Sequence, residues 1–163
     1  MWQESRYPEE KKELYAVLQQ QLEGLVAGER DAVANMANLS ALLFGALPRI
    51  NWAGFYILKE GMLVLGPFQG APACIRIPLG RGVCGTAAVT GRTQRVADVH
   101  AFPGHIACDA RSQSEIVIPL WNGEKLVAVL DIDSPVKERF DEADQAGLEA
   151  LAKRLAAACD WLF

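Results

Sequence analysis

The side chains best suited to covalent chemistry in this chain are four cysteines, Cys74, Cys84, Cys108 and Cys159. Cys84 lies in Gly80-Arg81-Gly82-Val83-Cys84-Gly85, which reads as a glycine-rich helix start, and Cys108 lies in Gly104-His105-Ile106-Ala107-Cys108-Asp109, inside a long polar loop. Loop thiols are where reactivity concentrates. Separations of ten and twenty-four residues between the first three cysteines match no short paired zinc pattern, so no metal is expected. A zinc site built from Cys74, Cys84, Cys108 and His105 is the minor alternative, and spacing alone leaves open three unrelated buried thiols. His105 is expected to be structural or solvent-facing rather than half of a Cys-His dyad.

Carboxylates form the second group. Ile116, Ile118 and Leu120 alternate along one apolar run, while Leu126, Ala128, Leu130 and Ile132 alternate along the next, so both sets should share a core face. A two-residue Asn122-Gly123 turn would put them on opposite faces, whereas a three-residue loop, Trp121-Asn122-Gly123, with a glycine bulge unites them. The longer loop is predicted. Glu115, Asp131 and Asp133 then share the other face with Val117, Val127 and Val129. The plain reading is a solvated face with scattered acids. Acids are nevertheless depleted in apolar strands, so this pair two apart suits a cation such as an amino-acid ammonium. A carboxylate among valines can also have its pKa raised and act as a general acid.

The elements that must position these groups follow from periodicity. Leu14, Val17, Leu18, Leu22 and Leu25 recur at helical spacing over residues 8–26. A second helix starts at the N-cap Asp31, turns Val33, Met36, Ala37, Ser40, Leu43 and Leu47 inward, and stops before Pro48. Residues 50–58 and 62–68 read as a hairpin about Glu60-Gly61, with Trp52, Gly54 and Tyr56 on one face. A third strand is expected over 74–79, a short helix through Val89, a fourth strand over 94–99, a loop over 101–113 and the second hairpin over 114–133. The last helix, 141–162, aligns Leu148, Leu151, Leu155, Cys159 and Leu162, which makes Cys159 a core residue. The expected fold is α+β, a central antiparallel sheet of five or six strands with helices on one face and a ligand pocket on the other.

Composition sets the outer bounds. A chain of 163 residues with 51% hydrophobic and 22% charged residues should form one domain over 1–163, and it excludes a disulfide miniprotein, a collagen-like chain and a disordered region. A net charge of -4 argues against partners such as nucleic acid or an anionic membrane. The charged start, residues 1–12, has no apolar leader core and no stretch is long enough to span a bilayer, so a cytoplasmic location is expected. Thiols are kept reduced there, which makes a structural disulfide framework a poor explanation for the cysteines.

Several motifs together resemble one family. They are Gly66-Pro67-Phe68-Gln69-Gly70, Pro72-Ala73-Cys74, Gly80-Arg81-Gly82-Val83-Cys84-Gly85-Thr86-Ala87 and Asp98-Val99. Phe102-Pro103-Gly104-His105-Ile106-Ala107-Cys108-Asp109, Ser114-Glu115-Ile116-Val117-Ile118-Pro119 and Leu130-Asp131-Ile132-Asp133-Ser134-Pro135 complete the set. The chain resembles the free methionine-(R)-sulfoxide reductases, which are single GAF domains. The resemblance implies that Cys108 attacks the sulfoxide and becomes a sulfenic acid, that Cys74 or Cys84 resolves it as a disulfide, and that thioredoxin or another dithiol restores it without a cofactor. It also implies that Glu115 binds or protonates the sulfoxide oxygen, that Asp131 and Asp133 hold the ammonium, and that Trp52 and Tyr56 wall the methyl end. Backbone N–H groups from Val83 to Gly85 are then expected to hold the substrate carboxylate. Three acids near a thiol should raise its pKa, and a shared proton or the substrate ammonium would relieve this. The alternative is a non-catalytic GAF sensor module, set against by a chain that ends after one domain. A homodimer is left open.

Overall fold

The computed structural model describes residues 6–163; residues 1–5 of the expected domain lie outside the described residues. In chain order the elements are α1 (Lys11–Val26), α2 (Ala32–Ala46), β1 (Trp52–Lys59), β2 (Met62–Gly70), β3 (Arg76–Pro78), α3 (Gly82–Thr90), β4 (Gln94–Val96), β5 (Ser114–Asn122), β6 (Lys125–Ser134) and α4 (Glu142–Ala158), with a single 3-10 turn at Val99–Ala101. The strands form one six-stranded sheet in the order β3-β2-β1-β6-β5-β4, with antiparallel neighbours throughout. Each hairpin pairs with its sequence neighbour, and β1 joins the two through β6.

Period-2 alternation divides the sheet into two faces. Ala53, Phe55 and Ile57 from β1 and Ile116, Ile118, Leu130 and Ile132 from the second hairpin join α1, α2 and α4 in the main core. Full burial of a side chain such as Leu18, Leu22 or Ile132 contributes about 1.5–3 kcal/mol. Trp52, Tyr56, Val117 and Val129 face the other way, where α3 covers them. Three helices therefore share one face as expected, while the short α3 lies on the pocket side.

The second hairpin reaches the expected result by a different route. Asn122 pairs with Lys125, so Gly123 and Glu124 form a two-residue turn, with Gly123 at φ 62°. Register is restored further down, where Leu120 opposes Ala128 but Trp121 opposes Leu126. The extra residue, Val127, is a bulge. The bulge sends Val127 into the main core and Leu126 to the pocket side, the reverse of the expected assignment. The acids keep their expected face because they lie beyond the bulge.

Other boundaries shift for local reasons. Glu10 caps α1 by accepting from the N–H groups of Lys12 and Glu13, so the helix starts after residue 8. Asp31 caps α2 as expected, but Val33 and Ala37 are exposed, since the buried stripe runs through Ala32, Met36, Leu39 and Leu43. The third and fourth strands are shorter than expected, leaving Cys74 in the loop before β3 and Val99 in the 3-10 turn. α4 ends at Ala158, where the Asp160 N–H donates to the Arg30 carbonyl, and Leu162 is exposed. Cys159 is buried in the main core.

Candidate active site

Sheet register assembles the acids. Across β1, β6 and β5, Trp52, Asp133 and Glu115 form one row, and Gly54, Asp131 and Val117 form the next. Glu115 and Asp131 are each only 6% exposed, while Asp133 is partly buried. Like charges directly across a strand pair repel, so this arrangement costs stability unless protons or a cation offset it. Gly54, opposite Asp131 in the register, lets Phe68 approach β1, and the Phe68 ring stacks 5.1 Å from that of Trp52. Tyr56 continues the wall, its ring 5.9 Å from Trp52.

Two segments close over this floor. At the start of α3, Cys84 is 4% exposed and its Sγ lies 3.9 Å from Oε1 of Glu115. Gly82, at φ 63°, adopts a left-handed backbone, and a Cβ there would meet Ile106 at 3.2 Å; the glycine lets the 102–113 loop seat against the helix. In that loop Cys108 is joined to Cys74 by a disulfide with Cα atoms 5.7 Å apart. Both ends are anchored. Tyr56 Oη donates to the Cys74 carbonyl at 2.9 Å, and Asn51 Nδ2 donates to Asp109 Oδ2 and Ser112 Oγ, each at 3.2 Å. Arg111 grips Asp109 through Nε and Nη2, and this pairing holds the Asp109 carboxyl well below the usual range. The pocket between these segments and the floor is lined by Trp52, Tyr56, Cys84, Cys108, Glu115, Asp131 and Asp133, with Arg81, Gly82, Val83 and His105 at its sides.

Burial dominates the electrostatics. Desolvation, reinforced by Asp131 and Asp133, pushes the Glu115 carboxyl well above its ordinary value. Desolvation raises Asp131 to about 6, opposed by hydrogen bonding with Glu115 and Cys84, and it raises Asp133 as well, helped by Asp131 and Asp109. The Cys84 thiol is pushed up by burial and then by the negative field of Asp131, Glu115 and Asp133. The expected clash between acids and a thiol therefore falls on Cys84, which stays protonated. A carboxyl raised in this way keeps its proton to higher pH, and Glu115 faces the pocket.

All the expected side chains, Cys74 excepted, line this one pocket, and Cys74 reaches it through its bond to Cys108. Gly85 is not part of the lining: its N–H donates to the Arg81 carbonyl at 3.0 Å, and a Cβ on it would lie 2.7 Å from the Pro78 carbonyl oxygen. The N–H groups of Gly82, Val83 and Cys84 open the first turn of α3 and have no carbonyl partner within the helix. His105 is not solvent-facing; its Nε2 lies 3.8 Å from Oε2 of Glu115, and burial lowers its pKa. Asn51, Asp109, Ser112 and Arg81 escaped sequence reasoning. The Asp109-x-Arg111 spacing was the available signal for a braced loop.

Comparison with known proteins adds the family. The GAF domain family model matches residues 34–160. The free methionine-R-sulfoxide reductase of Escherichia coli (strain K12) is 55% identical over 145 residues, covering 89% of this chain and 88% of that protein. The solved free methionine-R-sulfoxide reductase from Neisseria meningitidis in complex with its substrate superposes with a TM-score of 0.92 at 46% identity, covering 97% of this chain and 95% of that one. The reduced form of fRMsr of Staphylococcus aureus gives a TM-score of 0.87 at 52% identity, covering 88% and 94%. With its GAF sheet, its paired cysteines and these relatives, the chain belongs to the free methionine-R-sulfoxide reductase family of oxidoreductases.

Proposed function

We propose that the protein reduces free L-methionine (R)-sulfoxide to L-methionine through a sulfenic acid on Cys108 and a disulfide with Cys74, and that thioredoxin recycles it. The observation that carries this reading is the Cys74–Cys108 bond beside a pocket whose floor holds Glu115, Asp131 and Asp133. In the first step the Cys108 thiolate attacks the sulfoxide sulfur while Glu115 delivers a proton to the oxygen. Oxygen passes to Cys108 as Cys–SOH, and methionine leaves with its sulfur reduced. The Cys74 thiol then attacks the sulfenic sulfur, releasing water and forming the disulfide. Thioredoxin reduces that bond by dithiol exchange. No cofactor is required, since all electrons come from thiols.

Each end of the substrate has a matching group. Asp131 and Asp133 hold the free ammonium, whose positive charge favours their ionised forms and offsets their negative field around Cys108. Arg81 and the first turn of α3 hold the carboxylate. Trp52 and Tyr56 pack against the S-methyl group. Peptide-bound sulfoxide lacks the ammonium and is a poor substrate on this reading.

The test is turnover. Purified protein, thioredoxin, its reductase and resolved free methionine (R)-sulfoxide should yield methionine, with the (S) epimer and an oxidised peptide much slower. Absence of methionine from folded, reduced protein would remove the reading.

A further inference from the structure

Cys84 is left without a part in the thiol chemistry above, although it is buried within the site. Its Sγ and one oxygen each from Glu115 and Asp131 all lie within 4.8 Å of one another, and all three residues are buried. A second observation points to a ligand. Asp131 Oδ1 is fully buried and has no hydrogen-bond partner among the described residues, although the side chain faces the pocket. An unpaired carboxylate oxygen in such a place costs free energy that a cation would recover.

We propose that Cys84, Glu115 and Asp131 form a three-ligand binding site for a thiophilic divalent cation, Zn2+, with the fourth position open to the pocket. The donor set decides the metal. One sulfur and two oxygens are too few, and too soft, for Ca2+ or Mg2+, which take six or more oxygens. Zn2+ accepts mixed sulfur and carboxylate ligands in a tetrahedron, with bonds of about 2.3 Å to sulfur and 2.0 Å to oxygen. Two such ligands at a tetrahedral angle lie about 3.5 Å apart, close to the 3.9 Å between Cys84 Sγ and Glu115 Oε1. The other donor separations are no more than 4.8 Å. The metal also deprotonates the thiol on binding, which no monovalent ammonium can do.

The site differs from a zinc cluster of Cys74, Cys84, Cys108 and His105, because it survives disulfide formation. Resting on the reductase reading, one consequence is that Zn2+ and the substrate ammonium compete for Asp131, so zinc acts as an inhibitor of the substrate-free protein.

The experiment uses the full chain with the Cys74–Cys108 bond closed, so that Cys84 and the core residue Cys159 are the only thiols present. Zn2+ is titrated against a chromophoric chelator, and Co2+ is titrated as a spectroscopic probe. One Zn2+ per chain is expected, with tetrahedral Co2+ bands and a near-ultraviolet thiolate-to-metal charge-transfer band. Cys84→Ser should abolish that band and weaken Zn2+ by about tenfold or more; Asp131→Asn should weaken Zn2+ and keep the band. Absence of stoichiometric binding, or a charge-transfer band unchanged in Cys84→Ser, would overturn the proposal. Because neither readout involves turnover, zinc bound to a protein that makes no methionine would leave the metal site standing and remove the reductase reading. The converse result would remove the metal site alone.

Discussion

Tyr56 Oη donates a 2.9 Å hydrogen bond to the backbone carbonyl of Cys74. A strand in the middle of the sheet thus holds a loop cysteine that has no regular secondary structure of its own. The ring of the same tyrosine sits 5.9 Å from that of Trp52 in the pocket wall, so one side chain links that wall to the disulfide.

Removing only that hydroxyl should therefore separate two steps. Tyr56→Phe is expected to slow disulfide formation about 2–10-fold, the equivalent of one hydrogen bond worth 0.5–1.5 kcal/mol, and to slow methionine release less. Rapid-quench measurement of free thiols beside methionine in a single turnover checks this. Equal effects on both phases would mean that the hydroxyl does not position Cys74.

The cysteines should divide by stoichiometry. Cys108→Ser is expected to form no methionine. Cys74→Ser should release about one equivalent per chain with a monothiol-free substrate mixture and then stop with a sulfenic acid that a dimedone-type reagent labels. Continued thioredoxin-dependent turnover in Cys74→Ser would transfer the resolving role to another thiol.

Glu115 should show its role on the alkaline side. Its carboxyl is held well above the ordinary range by burial and by Asp131 and Asp133, so the donating, protonated form is lost as pH rises through that elevated value. Activity should fall there, and Glu115→Gln should lower kcat by about 10²–10⁴-fold and flatten the alkaline limb. A pH–rate profile of both proteins decides; an unchanged limb in the variant assigns the proton to another group.

Stability without substrate should move in the same direction. Asp131 is raised from 3.8 to about 6, so the folded state holds this proton more tightly than the unfolded chain does. Its contribution is full below the unfolded value and is lost as pH rises toward 6, on the order of 2–3 kcal/mol, with Glu115 and Asp133 extending the loss upward. Melting curves between about pH 4 and 8 should show falling stability for the wild type and a shallower slope, with a higher Tm near neutrality, for Asp131→Asn. A parallel slope in both proteins would locate the strain elsewhere.

Gly54 gives a steric prediction. A Cβ there would lie 2.3 Å from Phe68 Cβ and 2.7 Å from Phe68 Cα, so β1 and β2 must separate in Gly54→Ala. A loss of about 1–3 kcal/mol is expected, together with weaker substrate binding as the Phe68–Trp52 stack shifts. Denaturant unfolding and KM together test it, and an unchanged Cm would show that the strands yield freely.

Much of this molecule is legible in linear order, because local periodicity is a local property. Alternation of Ile116, Ile118 and Leu120 against Leu126, Ala128, Leu130 and Ile132 places Glu115, Asp131 and Asp133 on one face, although Leu126 itself falls on the other side of the bulge. The stripe through Leu148, Leu151 and Leu155 was enough to consign Cys159 to the core. The same alternation could not locate the bulge. Asn122-Gly123 and Gly123-Glu124 are both turn-forming pairs, and only packing of Val127 against the main core selects between them. Val33 was misplaced for a related reason: a helix with apolar residues on more than one side has its phase set by what it packs against.

The sequence by itself determined the chemical inventory, four thiols among it, and its alternation put Glu115, Asp131 and Asp133 on one face of the second hairpin and Trp52 and Tyr56 on one face of the first. Only the family resemblance implied that thiols, acids and aromatic rings share a site. Only the tertiary structure decided which atoms meet. Cys74 pairs with Cys108 across 34 residues because the loop before β3 and the loop before β5 converge over the same sheet face, while Cys84 is carried by α3 down among the acids. Disulfide reach and shared protons depend on distances of a few ångströms, and no periodicity along a chain encodes the distance between two loops.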